Sequence, residues 1–228
     1  MKKCKSSCDL QSCFLCRTSI KDWLPAVDAH RQNFQYTKGE LLFKEGDPVN
    51  GVYFVYSGTV KVHKQWGSDK ELIVRFAKKG DIVGHRGLGT ELVFPVSATA
   101  LETTTVCFFD LEFFQSSLQV NQAFLYQLLL FFADELKESE RKMRNLAHMP
   151  VKGRVSLALL RLQEKFGTDA SGALGISLSR QDLASYVGTT YETVFRIIND
   201  LVQEDAIGLS GKNVIIKSRE KLLSYTSS

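Results

Sequence analysis

The residues with the clearest capacity for chemistry are five cysteines, four of which lie close together near the start of the chain. The run CKSSCDLQSCFLC places Cys4, Cys8, Cys13 and Cys16 within thirteen positions, whereas Cys107 lies far along the chain. Cysteines at such short spacings are typical ligands of metal ions such as zinc, or they form reactive thiols or disulfides. Because an odd number fits a disulfide framework poorly, all five are candidate metal ligands.

A second group of chemically capable residues lies in the stretch SRQDLASYVGTTYETVFRIINDL, which predicts two short helices separated by Gly188. The second helix is amphipathic, with polar and aromatic residues on the outer face near its start. A DNA recognition helix needs this arrangement, because Arg can bond guanine and Glu can accept from cytosine in the major groove. The predicted DNA contacts are Arg180, Thr189, Thr190, Tyr191, Glu192, Phe195, Arg196 and Lys212.

The predicted contacts differ in role. Arg180, Thr189 and Thr190 suit phosphate contacts at helix N-termini, and Lys212 lies at the tip of a predicted hairpin, where a wing would touch the DNA backbone. The alternative is a helical hairpin used only for packing, in which Glu192 and Arg196 pair with each other four residues apart.

The composition sets broad limits on function. The chain has 228 residues, of which 44% are hydrophobic and 24% charged, and its net charge of +4 permits an acidic partner without requiring one. No apolar run approaches the roughly 20 residues of a membrane helix, and the lysine-containing first residues lack the apolar stretch expected of a secretory signal. We therefore expect a cytoplasmic protein without a membrane partner, whose thiols stay reduced. Its histidines are scattered and no phosphate loop is evident, so we expect no enzymatic activity.

Three kinds of element must position these residues. Thr18 to His30 predicts a short amphipathic helix, and glycine-punctuated β-rich runs from Phe34 to Phe109 predict a sandwich or barrel. From Asn121 to Ala147 there is no glycine or proline, and apolar residues recur at alternating gaps of four and three once the polar Ser139 is counted among them. This pattern favours a dimer helix over an ordinary helix with one core-facing side. The predicted dimer interface comprises Leu125, Leu129, Phe132, Leu136, Ser139 and Met143.

From Phe34 to Lys221 the chain resembles transcription regulators of the Crp/Fnr type. The resemblance is carried by FKEGDPVNGVYFVYSGTVKV, by KKGDIVG, and by an E-T-V-x-R core at Glu192, Thr193, Val194 and Arg196. It implies an α+β fold with four parts. The first two are a cysteine-rich segment with a short helix (1–33) and a sensor domain that is a cyclic-nucleotide-binding-like β-roll, or jelly roll (34–112). The last two are a dimerisation helix (113–149) and a winged helix-turn-helix (150–228). It also implies a homodimeric activator that binds a palindromic site in double-stranded DNA and works with RNA polymerase.

The resemblance also bears on the signal. The cyclic-AMP branch carries G-E-L and R-S-A, where this chain has Gly84-His85-Arg86 and Val96-Ser97-Ala98. The ribose-binding carboxylate and the phosphate-binding Arg position are therefore lost, and we do not expect cyclic AMP as a cofactor. Arg86 is the residue that could still supply a positive charge for a bound phosphate.

The oxygen-sensing FNR branch matches better, since ALETTTVC ends on Cys107 in register with that branch's β-roll cysteine. This resemblance implies a [4Fe-4S] cluster. The branch's C-x2-C-x5-C becomes C-x3-C-x4-C here, and Cys16 is extra. The ligand set stays open between Cys4, Cys8, Cys13 with Cys107 and Cys8, Cys13, Cys16 with Cys107, and zinc or no metal are the alternatives.

Two further expectations follow from the resemblance. Ser139 replaces an Asp whose repulsion keeps cluster-free FNR-branch proteins monomeric, so we expect the dimer to persist without a cluster. The competing hypothesis for sensing is a regulator of the same architecture gated by a small molecule or haem in the β-roll, in which His85 and His63 would matter.

Overall fold

The computed structural model describes residues 2–4, 9–67 and 70–226. The strands are β1 (Lys2–Lys3), β2 (Gln32–Tyr36), β3 (Leu41–Phe43), β4 (Gly51–Ser57), β5 (Val60–Trp66), β6 (Lys70–Ala77), β7 (Ile82–Val83), β8 (Ser97–Ala100), β9 (Thr104–Asp110), β10 (Ile207–Ser210) and β11 (Asn213–Ile216). The helices are α1 (Phe14–Thr18), α2 (Leu24–His30), α3 (Leu111–Val120), α4 (Gln122–His148), α5 (Val151–Phe166), α6 (Arg180–Val187), α7 (Tyr191–Gln203) and α8 (Arg219–Ser224). Short 3₁₀ turns cover Lys21–Trp23 and His85–Gly87.

The strands before α3 form two antiparallel sheets, in the orders β1-β2-β9-β4-β7 and β3-β8-β5-β6. Both sheets contribute to one apolar core, which includes Val55 and Val106 from the first and Val62 and Ala98 from the second. A second core packs against the first sheet and contains residues of the cysteine segment, α3 and α4. The predicted β-roll is confirmed.

The chain divides into two compact units, Met1–Glu135 and Leu136–Ser228. The first contains the β-roll and the second the helix-turn-helix with the antiparallel pair β10-β11. Within the described residues, none of the helices has both the length and the apolar character that crossing a membrane requires.

Helix α4 carries two stripes of residues, each spaced by alternating gaps of four and three. The inner stripe is Phe124, Leu128, Phe131, Glu135, Glu138, Lys142 and Asn145, all of them buried or partly buried. The outer stripe is Leu125, Leu129, Phe132, Leu136, Ser139, Met143 and Leu146, most of them exposed. The inner stripe therefore packs on the chain's own elements, whereas most of the outer stripe is exposed. Phe132 differs from its exposed neighbours, because it is partly buried and packs against His85.

The helix expected over Thr18–His30 is wrong as a continuous element. Helix α1 lies before this range and ends at its first residue, Thr18, because Ser19 and Ile20 are extended and the Ile20 N–H donates to Asn121 Oδ1 at 2.9 Å. The chain resumes as α2, in which Pro25 occupies the first turn, where its missing N–H costs little.

Candidate functional site

Helices α6 and α7 form the predicted helix-turn-helix, and its ends are fixed by local caps. Ser179 Oγ accepts from the Asp182 N–H at 2.9 Å to begin α6. Gly188 ends α6 with φ 70°, a left-handed conformation that favours glycine. Thr190 Oγ1 then accepts from the Thr193 N–H at 3.3 Å to begin α7. Residues within the helix-turn-helix therefore determine where α6 begins and ends and where α7 begins.

A single arginine secures this turn from outside. The Arg154 guanidinium donates to the Val187 and Gly188 carbonyls at 3.1 and 3.2 Å, and to the Leu146 and Met149 carbonyls at 3.2 and 3.3 Å. It thereby satisfies carbonyls at the C-terminal ends of α4 and α6, which helices leave without internal partners. Burial lowers the pKa of Arg154. Its role is structural, and it was not predicted from the sequence.

Helix α7 packs one side and exposes the other. Val194, Ile197, Ile198 and Leu201 are buried. On the opposite side, Glu192 and Arg196 are exposed, and the ion pairs of the described residues do not join them. The alternative in which these two residues neutralise each other is therefore not what α7 adopts, and both are accessible for contacts to bases.

The remaining predicted DNA contacts lie around the same unit. Thr190 is exposed and Thr189 is partly buried, its N–H donating to the Ala184 carbonyl at 3.1 Å. Lys212 is exposed at the tip of the β10-β11 hairpin, where Gly211 has φ 60°. Arg180 is partly buried and borders the same small apolar cleft as Lys212. Burial lowers the pKa of Arg180, against the opposing effect of nearby Tyr191.

The cysteine segment packs against the β-roll through its backbone. Asp9 Oδ1 accepts from the Gln11 and Ser12 N–H groups, each at 2.9 Å, and these bonds lower the pKa of Asp9 to about 2. The Phe14 N–H donates to the Gly80 carbonyl at 3.0 Å. A side chain at Gly80 would lie 2.9 Å from the Ser12 carbonyl oxygen, so glycine permits this close approach.

Three thiols share one buried environment. Cys13 and Cys16 are each 5% exposed and Cys107 is 2% exposed, and all three belong to the second apolar core. Cys13 precedes α1, and its Sγ accepts from the Cys16 N–H at 3.3 Å. Helix α1, which the sequence did not predict, thus places Cys16 beside Cys13.

Cys4 is partly buried and is held by the edge of the first sheet. Its N–H donates to the Asn33 carbonyl at 3.0 Å, and Asn33 is directly opposite Cys107 in the β2-β9 pair. Two strand spacings therefore separate the backbones of Cys4 and Cys107, about 10 Å. Cys8 lies outside the described residues.

The thiols of the described residues do not surround a common metal position. Among residues 2–4, 9–67 and 70–226, no group of three or more Cys, His, Asp or Glu side chains is arranged to hold a metal ion. The structure thus brings Cys13, Cys16 and Cys107 into one apolar core and leaves Cys4 at its margin.

An ion cluster in the first unit escaped the sequence analysis. Arg86 Nη2 lies 2.6 Å from Glu135 Oε2, Arg75 Nη1 lies 3.4 Å from Glu135 Oε1, and Arg75 Nη2 lies 3.6 Å from Asp81 Oδ2. Burial raises the pKa of Glu135, but His85, Arg75 and Arg86 outweigh it and hold that pKa well below its usual range. The signal available in the sequence was the position of Glu135 on the inner stripe of α4.

The two candidate sensing histidines are both buried. His85 is 2% exposed and its ring lies against Phe131 and Phe132, with centroids 4.9 and 5.5 Å away. Burial lowers its pKa to about 4. His63 Nε2 lies 2.8 Å from Thr99 Oγ1, and its Nδ1 lies 2.9 Å from Glu71 Oε2.

The stretches that correspond to a cyclic-nucleotide site are occupied by the chain's own contacts. Val96 is buried in the roll core, and Ser97 Oγ accepts from the Glu45 N–H at 2.9 Å. Arg86, the remaining candidate for a phosphate-binding cation, is paired with Glu135.

Comparison with known proteins agrees with this architecture. The cyclic nucleotide-binding domain family matches residues 33–121, and the Crp-like helix-turn-helix domain family matches residues 153–225. The chain is 34% identical over 182 residues to the transcriptional activator protein Anr of Pseudomonas protegens, covering 78% of this chain and 74% of that protein. It is 27% identical over 191 residues to the anaerobic regulatory protein of Haemophilus influenzae, covering 83% and 74%.

A solved structure extends the likeness to three dimensions. FixK2 from Bradyrhizobium japonicum is similar with a TM-score of 0.78 and 25% identity, over 87% of this chain and 98% of that one. The β-roll, the exposed face of α7 and these relatives lead to one conclusion. The chain belongs to the Crp/Fnr family of DNA-binding transcription regulators.

Proposed function

We propose that this regulator is a homodimer gated by oxygen or redox state through a [4Fe-4S] cluster on its cysteines, and that it activates transcription with RNA polymerase in the cytoplasm. The observation that carries the proposal is the shared burial of Cys13, Cys16 and Cys107 in a core that also contains residues of α4. A relative named as an anaerobic regulatory protein supports the choice of signal.

The described thiols fit such a cluster by donor type and shared environment. Cysteine thiolates are the ligands that iron–sulfur clusters use, and hydrogen bonds to their sulfurs tune the redox potential. Cys13, Cys16 and Cys107 would hold the cluster with Cys8 as the fourth ligand, or with Cys4 in its place. When bound, the cluster supplies a centre that reacts with oxygen. With Cys8 as the fourth ligand, this set is the second of the two combinations that the sequence left open, and with Cys4 it is a third combination.

Phe14 gives the cysteine segment a direct contact with α4. It lies between Cys13 and Cys16, and its ring centroid is 5.9 Å from that of Phe124 and 5.7 Å from that of Phe131. Any change at the thiols that displaces α1 would therefore alter packing on the inner stripe. We infer that this aromatic contact carries the signal from the cysteines to α4.

The outer stripe of α4 is the proposed dimer interface. Leu129, Leu136 and Met143 are 62%, 60% and 62% exposed, which is costly for such side chains without a partner. A second copy of α4 would cover them as a coiled-coil seam. Ser139 adds no charge to this seam, so the dimer should persist without a cluster.

Colour is the first test of the cluster. Protein purified without oxygen should be straw-brown, with broad absorbance near about 400 nm that bleaches in air, and should contain iron and sulfide. A sharp Soret band would instead indicate haem, and colourless protein with stoichiometric zinc would reject the cluster while leaving DNA binding intact.

Single substitutions then assign the ligands. Cys13→Ala, Cys16→Ala and Cys107→Ala should each abolish the colour, and one of Cys4→Ala and Cys8→Ala should leave it intact. Retention of full colour by all five variants would remove the cluster from the proposal.

The coupling through Phe14 has its own test. Phe14→Ala should keep anaerobic colour but lose most of the difference in DNA affinity between the coloured and the air-bleached protein. If Phe14→Ala keeps the full difference in DNA affinity, the signal does not pass through Phe14.

The dimer interface is tested by a charge in the outer stripe. Leu129→Glu should give a monomer in light scattering and weaken binding to a two-half-site duplex by about 10²–10⁴-fold, because the avidity of the second half-site is lost. Gln127→Glu, at an exposed position of the same helix outside the stripe, is the matched control and should stay dimeric. Wild-type apo-protein that is monomeric at micromolar concentration would contradict the role given to Ser139.

A further inference from the structure

Two aromatic side chains stand side by side on the exposed face of the recognition helix. Tyr191 and Phe195 lie one turn apart on α7, with ring centroids 6.2 Å apart and an interplanar angle of 16°. They are 44% and 51% exposed. We call this pair the aromatic ledge. The stacking presents the two rings as one apolar surface in solvent.

The ledge lies next to the charged residues proposed to read bases. Glu192 and Arg196 follow Tyr191 and Phe195 by one position each, so a charged row runs beside an aromatic row on the same exposed face. Tyr191 also lies near Arg180 at the start of α6, the arginine predicted to contact phosphate. A ligand that meets Arg196 therefore also meets the ledge.

Base chemistry limits what the ledge can accept. In the major groove the base edges present hydrogen-bond donors and acceptors, and the largest apolar group among them is the C5-methyl of thymine. An aromatic ring that covers a polar edge without bonding to it leaves that edge desolvated, which is unfavourable. Apposed to the thymine methyl, the same ring buries apolar surface on both sides.

We propose that the aromatic ledge selects thymine in each half-site by contacting its C5-methyl group, with Phe195 making the contact and Tyr191 supporting its ring. The inference rests on the DNA binding of this family and deepens it by naming a base that the ledge prefers. Glu192 and Arg196 read a neighbouring base pair by hydrogen bonds, and the ledge adds readout by shape and apolarity.

The test removes the methyl group alone. Duplexes selected by the full-length protein from a random library give the preferred site, and each thymine in the two half-sites is then replaced by deoxyuridine. At one thymine position the dissociation constant should rise by about fourfold per half-site, the effect of one buried methyl-sized group. Measurements are made by fluorescence anisotropy at a single fixed salt concentration.

Variants of the ledge complete a double-mutant cycle. Phe195→Ala should bind the thymine and deoxyuridine duplexes within about twofold of each other, and Phe195→Leu should keep most of the difference. Tyr191→Ala should shrink the difference, whereas Tyr191→Phe, which keeps the stacked ring, should retain it. Because both rings are half exposed, all four variants should unfold at the wild-type temperature.

The possible outcomes distinguish failure of the thymine contact from failure of sequence-specific DNA binding. A selected site in which no thymine responds to methyl removal overturns the ledge while leaving sequence-specific DNA binding in place. An undiminished methyl effect in Phe195→Ala also overturns it. If the protein enriches no sequence at all, sequence-specific binding itself is overturned, and the ledge with it.

Discussion

The two units of the chain keep their chemically capable side chains in opposite environments. In the second unit, Glu192, Arg196 and Lys212 are exposed on α7 and the hairpin tip. In the first unit, Cys13 and Cys107 lie inside an apolar core, as do the aromatic residues against which they pack. The second unit exposes the side chains proposed to bind DNA, and the first unit buries the thiols proposed to bind a cluster.

This difference indicates how each unit should respond to change. Exposed side chains contribute to binding and little to folding, so altering them should change DNA affinity alone. Buried thiols and charges are part of the packing, so altering them should change stability and the elements they support. A regulator needs both behaviours, because its output surface must be constant while its input site changes structure.

The largest expected effect is on the buried ion cluster. Glu135→Gln removes the carboxylate that pairs with Arg75 and Arg86. Breaking such a partly buried pair should lower the free energy of unfolding by about 3 kcal/mol. Both tryptophans lie in the first unit, so their fluorescence in a urea titration reports that unit.

Glu138 provides the matched control for this prediction. It lies one turn further along α4 and pairs with Arg161 in the second unit. Glu138→Gln should therefore leave the tryptophan transition of the first unit nearly unchanged. An equal shift of that transition in both variants would contradict the assignment of Glu135 to the first unit alone.

The next effect is on DNA recognition. Arg196→Ala should weaken binding to the preferred duplex by about 1–3 kcal/mol, the range for one side chain that reads a base. Its thermal unfolding should be unchanged, because the side chain is exposed. Binding to a scrambled duplex is the control. A lower unfolding temperature in Arg196→Ala would show that this side chain also contributes to folding, and it would contradict the contrast drawn between the two units.

Acid should destabilise the first unit through His85. Its pKa is lowered to about 4 by burial, so between its unfolded pKa of about 6.5 and pH 4 the unfolded chain binds a proton that the folded chain does not. The resulting stability is present above pH 6.5 and is lost as the pH falls. Between pH 6.5 and 5 the loss from this residue should be about 2 kcal/mol.

Replacement of the imidazole tests this assignment. His85→Phe keeps an aromatic ring beside Phe131 and Phe132 and should flatten the pH dependence of the tryptophan-reported transition. His148→Gln, at an exposed position in the second unit, should leave it as in the wild type. A slope that survives in His85→Phe would assign it to other groups.

The smallest effect is expected at the hairpin tip. Lys212→Ala should weaken specific and non-specific DNA binding equally, and should reduce the slope of log affinity against log salt by about 1. Lys44→Ala removes the same charge from an exposed position of the β-roll and should leave that slope unchanged. Selective loss of specific binding in Lys212→Ala would show that the wing reads bases.

Prediction from the sequence worked best where local chemistry decides structure. The helix-turn-helix was predictable because Ser179, Gly188 and Thr190 fix its helix ends through bonds within four residues. The β-roll was predictable from alternating apolar residues between glycine turns. In both cases the information lies in short stretches of the chain.

Sequence reasoning failed where distant segments meet. Helix α1 was missed because its start depends on a bond from Phe14 to the Gly80 carbonyl. The ion cluster was missed because Arg75 comes from β6, Arg86 from a 3₁₀ turn and Glu135 from α4. Only the folded first unit, in which α4 packs beside the β-roll, brings these charges together, and no spacing rule reports such a contact.

The two stripes of α4 also constrain how this helix can change in evolution. They are offset by one residue, which is about 100° of rotation at 3.6 residues per turn. Inserting one residue near Glu135 would turn every later position by that angle, so the later part of the inner stripe would take the direction of the outer stripe and the later part of the outer stripe would leave it. Length changes in α4 should therefore be tolerated in steps of seven residues, whereas the loops of the β-roll can vary freely in length.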